Sequence, residues 1–310
     1  MTLKTLFLAG AALTLVACGN NSADVKQAAS ETAASKTAGA AKAEMAMKAN
    51  SAKLATILAA QDEKAKERFE ARNPQATLEF FGITPGMTVA EALPGGGWYS
   101  KILIPYLGDE GHLVGIDYSI KMWPEFGGFA NAEFIEKKKT WAAEWVEGAQ
   151  AWRAGSSGDI SAFTFGGRDA SMDGQADAVL YIRALHNVSR FEDEGGYMTQ
   201  ALADTHALLK PGGIVGVVQH QGPETNDDKW AEGDNGYLKK SDVIAKFKAA
   251  GFELVKESAI NENSKDIPSN EDIVWRLPQS LATSRDNPEL KAKMEAIGES
   301  NRMTLLFKKV

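Results

Sequence analysis

The run Val89-Ala90-Glu91-Ala92-Leu93-Pro94-Gly95-Gly96-Gly97-Trp98-Tyr99-Ser100 reads as strand, tight turn and helix. An apolar stretch ending in an acid meets three consecutive glycines, and an amphipathic segment, 98–107, follows at once. Glycines turn the backbone without a Cβ penalty and let a ligand lie against bare peptide groups. The helix that follows aims its unpaired N–H groups and the positive end of its dipole at the same spot. Such a turn suits a nucleotide.

The rest of the chain alternates in the same manner. Strand-like runs at 87–93, 112–118, 161–165, 178–185, 214–219, 252–257 and 303–307 are separated by helical patterns at 98–107, 121–152, 191–209 and 239–250. Asn73-Pro74 reads as an N-cap with proline at the first helical position, and Gly82 as that helix's end. Alternation of this kind predicts crossover units and a mostly parallel sheet with helices on both faces.

The front of the chain is of another character. Lys4 is followed by the apolar stretch 6–17, too short to span a bilayer as a mature helix, and it ends in Leu15-Val16-Ala17-Cys18. This resembles the lipobox of bacterial lipoprotein signal peptides, in which cleavage precedes a cysteine that is then acylated. The resemblance implies a signal peptide over 1–17, a lipid on Cys18 and export to the cell envelope. An outer-membrane site facing the periplasm is the expectation, since Gly19 gives no aspartate-type retention signal. Residues 18–48, rich in Ala, Ser, Lys and Asn, read as a flexible tether. A single domain over 49–310 follows, opening on apolar residues at helical spacing (Leu54, Ile57, Leu58, Ala65, Phe69).

Cys18 is the only cysteine. Once acylated it leaves no disulfide, thiol nucleophile or cysteine metal site, and no metal is expected. A net charge of −7 with no basic stripe on a predicted helix argues against a nucleic-acid partner.

In an open α/β sheet, ligands lie beyond the carboxyl ends of the strands. Glu91 and the glycines follow the first strand, Asp117 closes the second, Asp169 follows the third, His186 the fourth and His220 the fifth. Asp117 lies about twenty residues past the glycine turn, the spacing of an acid that bonds ribose hydroxyls.

With Gly-Ile-Asp at 115–117, Asp-Ala-Val-Leu at 177–180, Leu-Leu-Lys-Pro-Gly-Gly at 208–213 and Ala-Ala-Gly-Phe at 249–252, the chain from about residue 73 onward resembles the class I S-adenosylmethionine-dependent methyltransferases. Its motifs at 80–87, 94–100 and 104–107 look like an uncharacterised exported bacterial branch. The resemblance implies a Rossmann-like, seven-stranded sheet whose last strand is antiparallel, and S-adenosylmethionine as cofactor. It places Glu91 near the methionine moiety, Gly95, Gly96 and Gly97 against the cofactor, Asp117 on the ribose and Asp169 near the adenine. Tyr99, just after the turn, is a candidate ligand contact. His186 and His220 are the candidate base or acceptor contacts, and the acceptor is a small molecule or an envelope component. The family usually has glycine where Leu93 stands, and Leu93-Pro94 stiffens the turn.

Two other readings compete. One is a non-catalytic lipoprotein that uses the same fold as a ligand-binding module, consistent with a cofactor made in the cytosol. The other is an NAD-binding oxidoreductase, whose fingerprint fails at Ser100. Trp141, Trp145 and Trp152 share one helical face and either pack on the sheet or wall a hydrophobic substrate. The polar segment 222–237 reads as a solvated loop or a lid.

Overall fold

The computed structural model describes residues 22–310, with side chains from residue 39. Cys18 and the signal-peptide region lie outside the described residues. The chain divides into two units at Ala49–Asn50.

In the first unit, the segment expected to be a flexible tether is helical from Ser22, within a helix whose bounds are Ser22–Ala59. Alanine-rich sequence with Lys, Glu and Gln has high intrinsic helix propensity, which operates without an apolar face. Residues 39–49 are all exposed. Among the described residues no helix is long and apolar enough to cross a membrane.

The second unit is built on seven strands: β1 (Thr88–Ala92), β2 (His112–Asp117), β3 (Asp159–Thr164), β4 (Ala176–Ile182), β5 (Leu209–His220), β6 (Phe252–Ser258) and β7 (Arg302–Lys309). Their order across the sheet is β3-β2-β1-β4-β5-β7-β6. All pairs are parallel except those made by β7, which runs antiparallel between β5 and β6. This is the seven-stranded, doubly wound arrangement expected from the sequence.

Alternation along the central strands builds a core on each face. From β1 and β4, Ala90, Ala92, Val179 and Tyr181 point into one apolar cluster, with the helices Tyr197–Leu208 and Lys240–Ala249 over it. Val89, Ala178 and Leu180 point into the other, under the helices Pro74–Phe81, Ser100–Leu107 and Trp141–Ala149. Two buried faces explain why these strands read as continuous apolar runs.

Several boundaries differ from expectation. The region 121–152 is no single helix: a 3₁₀ segment Ile120–Phe126 containing Pro124 ends at Gly127, and the helices Ala132–Lys138 and Trp141–Ala149 follow. Asn131 caps the first of these helices through the Phe134 N–H, 2.9 Å away. The lead-in breaks after Ala59 into two single turns, Glu63–Lys66 and Phe69–Arg72. The tryptophan face packs on the sheet, since the Trp145 ring lies where a Cβ on Gly115 would be, 2.8 Å away. The segment 222–237 folds back through Trp230 and Tyr237, both buried beside Val274.

Candidate functional site: a basic cavity at the switch point of the sheet

The order of the strands reverses direction between β1 and β4, and the crevice outside their carboxyl ends is where an open α/β sheet holds its ligand. A cavity of about 680 Å³ opens there. Its walls come from the end of β1 (Glu91) and the segment after it (Leu93 to Gly96), the segment after β4 (Arg183, His186) and the end of β5 (His220).

The chain leaves both strands in the same way. Leu93 and Arg183 adopt left-handed conformations, with φ of 52° and 57°. The Leu93 N–H donates to the Ile116 carbonyl at 2.7 Å, and the Arg183 N–H to the Val218 carbonyl at 2.6 Å. Each turn is thereby tied to the neighbouring strand. Left-handed backbone costs a non-glycine residue about 1–2 kcal/mol, a cost that a glycine at position 93 would avoid.

Glu91 is 4% exposed, and its carboxylate accepts a 2.5 Å hydrogen bond from the Ser100 hydroxyl. Among the described residues no cation pairs with it. Burial therefore pushes its carboxyl up to about 8, against the opposing pull of Ser100.

The three glycines divide. Gly95 and Gly96 line the cavity, and a Cβ on either would meet nothing within 4 Å. Gly97 instead backs onto protein, with the Trp152 ring where its Cβ would stand. Tyr99 reaches the cavity wall but is 4% exposed, its ring 4.9 Å from that of Trp98, so it is largely core.

His186 and His220 meet at the floor with ring centroids 5.3 Å apart. Gln219 Nε2 donates to the Gly236 carbonyl at 3.0 Å, which turns its Oε1 toward His186 Nδ1, 3.3 Å away. Nδ1 therefore carries the proton and Nε2 is the acceptor nitrogen. Burial lowers the His186 pKa to about 4, with Gln219 opposing and Arg183 and Arg190 adding to the fall. Burial also holds His220 well below its ordinary value, reinforced by His186 and three arginines. Its Nδ1 lies 2.5 Å from the Ser300 hydroxyl.

Asp117 and Asp169 do not reach this cavity. Asp117 is 6% exposed, and its Oδ2 pairs with Lys138 Nζ at 3.0 Å. Asp169 lies in an exposed turn, where its carboxylate accepts from the Ser171 N–H at 2.8 Å. The expected adenine contact is a local cap.

Sequence reasoning missed the arginines. Arg68, Arg72 and Arg183 line the cavity, with Trp275 opposite them. Glu299 accepts from Arg72 Nε at 3.2 Å and from Arg302 Nη1 at 3.0 Å. Arg72 Nη1 and Arg183 Nε are buried without a hydrogen-bond partner. The four-residue spacing of Arg68 and Arg72 and the position of Arg183 at a strand end were the available signals. Trp275 is set in place by its neighbour Arg276, whose Nη2 donates to buried Asp266 at 2.8 Å.

No protein-family model and no curated protein matches the sequence. Solved structures similar to this chain include the [4+2]-cyclase SpnF, at 18% identity over 77% of this chain and 80% of that one, with a TM-score of 0.46. A SAM-dependent methyltransferase from Aquifex aeolicus is similar at 12% identity, covering 83% of this chain and 98% of that one, with a TM-score of 0.44. The Burkholderia thailandensis 1,6-didemethyltoxoflavin-N1-methyltransferase, solved with bound 1,6-didemethyltoxoflavin and S-adenosylhomocysteine, is similar at 13% identity over 96% of this chain and 93% of that one, with a TM-score of 0.41.

Proposed function

We propose that the protein is an S-adenosylmethionine-dependent methyltransferase acting on a small or envelope-borne acceptor, and that a lipid on Cys18 anchors it. The observation that carries the reading is Glu91: a buried carboxyl without a cationic partner, on a cavity wall beside the open faces of Gly95 and Gly96. A carboxyl so placed calls for a positively charged ligand group, and an α-ammonium supplies one. Bare backbone at residues 95 and 96 admits a ligand at van der Waals distance.

The residues fit one end of the cofactor directly. At the other end Asp117 is covered by Lys138, so a ribose reaches that acid only when Lys138 leaves it. When bound, S-adenosylmethionine would supply an electrophilic methyl group to the acceptor's lone pair, its sulfur retaining the electrons of the carbon–sulfur bond that breaks. His186 Nε2, unprotonated at neutral pH, accepts the hydrogen bond or the proton of the attacking group.

A second reading, ligand binding without turnover, is favoured by the same Lys138–Asp117 pair, which closes the nucleoside end. Calorimetry on the full chain in detergent, with S-adenosylhomocysteine and with NADH, separates the possibilities. Binding of S-adenosylhomocysteine together with transfer of a labelled methyl group supports the enzyme. Binding without transfer supports the module, and preference for NADH overturns both.

A further inference from the structure

Behind the first cavity lies a second, of about 230 Å³. The two share Arg68, Arg72, Arg183, His220 and Trp275. The second contains neither Glu91 nor any residue of the glycine turn; its far wall is Leu277 to Ser280 with Glu299 and Ser300. The arginines therefore stand between the two spaces, and one side of them faces away from the cofactor's end.

The charges there do not balance. Arg68, Arg72, Arg183 and Arg302 gather around Glu299, and the one further carboxylate beside them, exposed Glu67, acts on Arg68, which leaves more cations than acids. Arg302 is satisfied by protein, giving hydrogen bonds to the Ser300 carbonyl, Glu299 and the Ala71 carbonyl. Arg72, 4% exposed, gives its Nε to Glu299 and lies 5.1 Å from the centre of the Trp98 ring, while its Nη1 has no hydrogen-bond partner. Arg183 forms no ion pair among the described residues, and its Nε is buried without a partner. It is also held in a left-handed conformation at the strand end, strain that persists where the surroundings over-determine it and that clusters at ligand sites. Burial lowers the Arg183 pKa to about 9, with Arg72 adding to the fall and Glu299 opposing it. The two histidines add no positive charge at neutral pH, and Glu91 is largely protonated there. The rest of the lining adds one acid, Asp62, and two lysines, Lys64 and Lys101, so it does not offset the excess either.

Guanidinium nitrogens buried without a hydrogen-bond partner, as on Arg183 and Arg72, call for an acceptor, and planar guanidinium forks match carboxylate and phosphate oxygens. The single carboxylate of a methionine moiety neutralises one of them and leaves the rest. We propose that Arg68, Arg72 and Arg183 form an anion subsite for the methyl acceptor, which is therefore a small molecule carrying a carboxylate or phosphate, with its remainder in the second cavity against Trp275. The inference rests on the methyltransferase reading for the word acceptor, and on the arginines alone for the anion.

The test uses inorganic phosphate and succinate as probes, titrated into the full chain in detergent at constant ionic strength with chloride as control. The readouts are calorimetry and the thermal midpoint, and S-adenosylhomocysteine is titrated separately. Millimolar binding of one probe, weakened at least tenfold by Arg183→Gln and by Arg68→Gln while S-adenosylhomocysteine affinity changes less than twofold, is the expected result. Whichever probe binds more tightly names the anion. Binding of neither, or binding indifferent to both substitutions, overturns the subsite. Loss of S-adenosylhomocysteine binding in both variants assigns the arginines to the cofactor and overturns the acceptor. Arg68, in the link between the turns Glu63–Lys66 and Phe69–Arg72, guards against failure of Arg183→Gln to fold. If phosphate binds through the arginines and S-adenosylhomocysteine does not bind at all, the anion subsite stands and the methyltransferase reading falls.

Discussion

Lys138 Nζ lies 3.0 Å from Asp117 Oδ2 and 4.4 Å from the centre of the Trp123 ring, so one ammonium closes the acid at the end of β2. Burial raises the Asp117 pKa, and Lys138 is the main group opposing that rise. Any ribose that uses Asp117 competes with this pair. Lys138→Ala is expected to tighten S-adenosylhomocysteine about tenfold, roughly 1.4 kcal/mol, as measured by calorimetry. Unchanged or weaker binding removes Asp117 from the cofactor site.

Glu91 gives a pH signature. Its carboxyl titrates at about 8 in the folded chain against an ordinary value of 4.5. The folded state thus holds a proton that the unfolded state has lost. This contribution to stability is full below pH 4.5 and disappears as pH rises through about 8. Glu91→Gln should therefore be more stable than the parent at pH 8, by on the order of a few kcal/mol, with the gap shrinking toward pH 4.5. Urea midpoints across that range measure it. In the parent, S-adenosylhomocysteine binding should strengthen toward pH 8, and Glu91→Gln should flatten the dependence.

The glycine triplet separates a ligand contact from a packing contact. Gly96→Val adds a side chain where nothing stands within 4 Å and φ is ordinary, so the fold should survive while S-adenosylhomocysteine binding falls tenfold or more. Gly97→Ala puts a methyl on the Trp152 ring at a φ of +75° and should lower stability by about 2–4 kcal/mol. Circular dichroism with parallel binding isotherms reads both. Equal behaviour of the two variants contradicts the division.

What was legible in the sequence was local. The strand, glycine turn and helix at 88–107 announce themselves because an apolar run, glycines and a helical period are adjacent in the chain. Six of the expected positions, Glu91, Gly95, Gly96, Tyr99, His186 and His220, do line one cavity, since all lie at or just beyond the carboxyl ends of strands that the sheet sets side by side. Asp117 met a spacing rule, yet spacing could not show that Lys138, 21 residues on, folds back onto it. Nor could a sequence reading assemble Arg72 with Glu299, a pair 227 residues apart that exists only because β7 inserts beside β5. The error over 121–152 was of another kind. Pro124 and Gly127 break the segment locally, so the helical period around Trp141 and Trp145 belongs to a separate, shorter helix.

The proposed anchor makes a prediction independent of the cavity. If Cys18 is acylated, Cys18→Ser should move the protein from the membrane fraction to the soluble fraction. Loss of one attachment removes about 0.8 kcal/mol for each buried methylene. Metabolic labelling with a fatty-acid analogue is the direct check. Labelling that persists in Cys18→Ser refutes the assignment, as this is the only cysteine in the chain.

The histidine at the cavity floor predicts acid lability. His186 titrates at about 4 when folded against an ordinary 6.5, because burial removes its charged form from water and Arg183 and Arg190 repel it. Between those values the unfolded chain binds a proton that the folded chain refuses, so stability falls as pH drops from 6.5 toward 4. The effect of this one group is on the order of 2–3 kcal/mol. His186→Gln lacks the titration, so its urea midpoint should gain on the parent steadily over that interval. An NMR titration gives the microscopic check: the His186 ring should keep Nδ1 protonated and Nε2 bare at pH 6. A ring that takes up its second proton near pH 6.5 would mean that the floor of the cavity is wet, and the role of Nε2 as a standing acceptor would go with it.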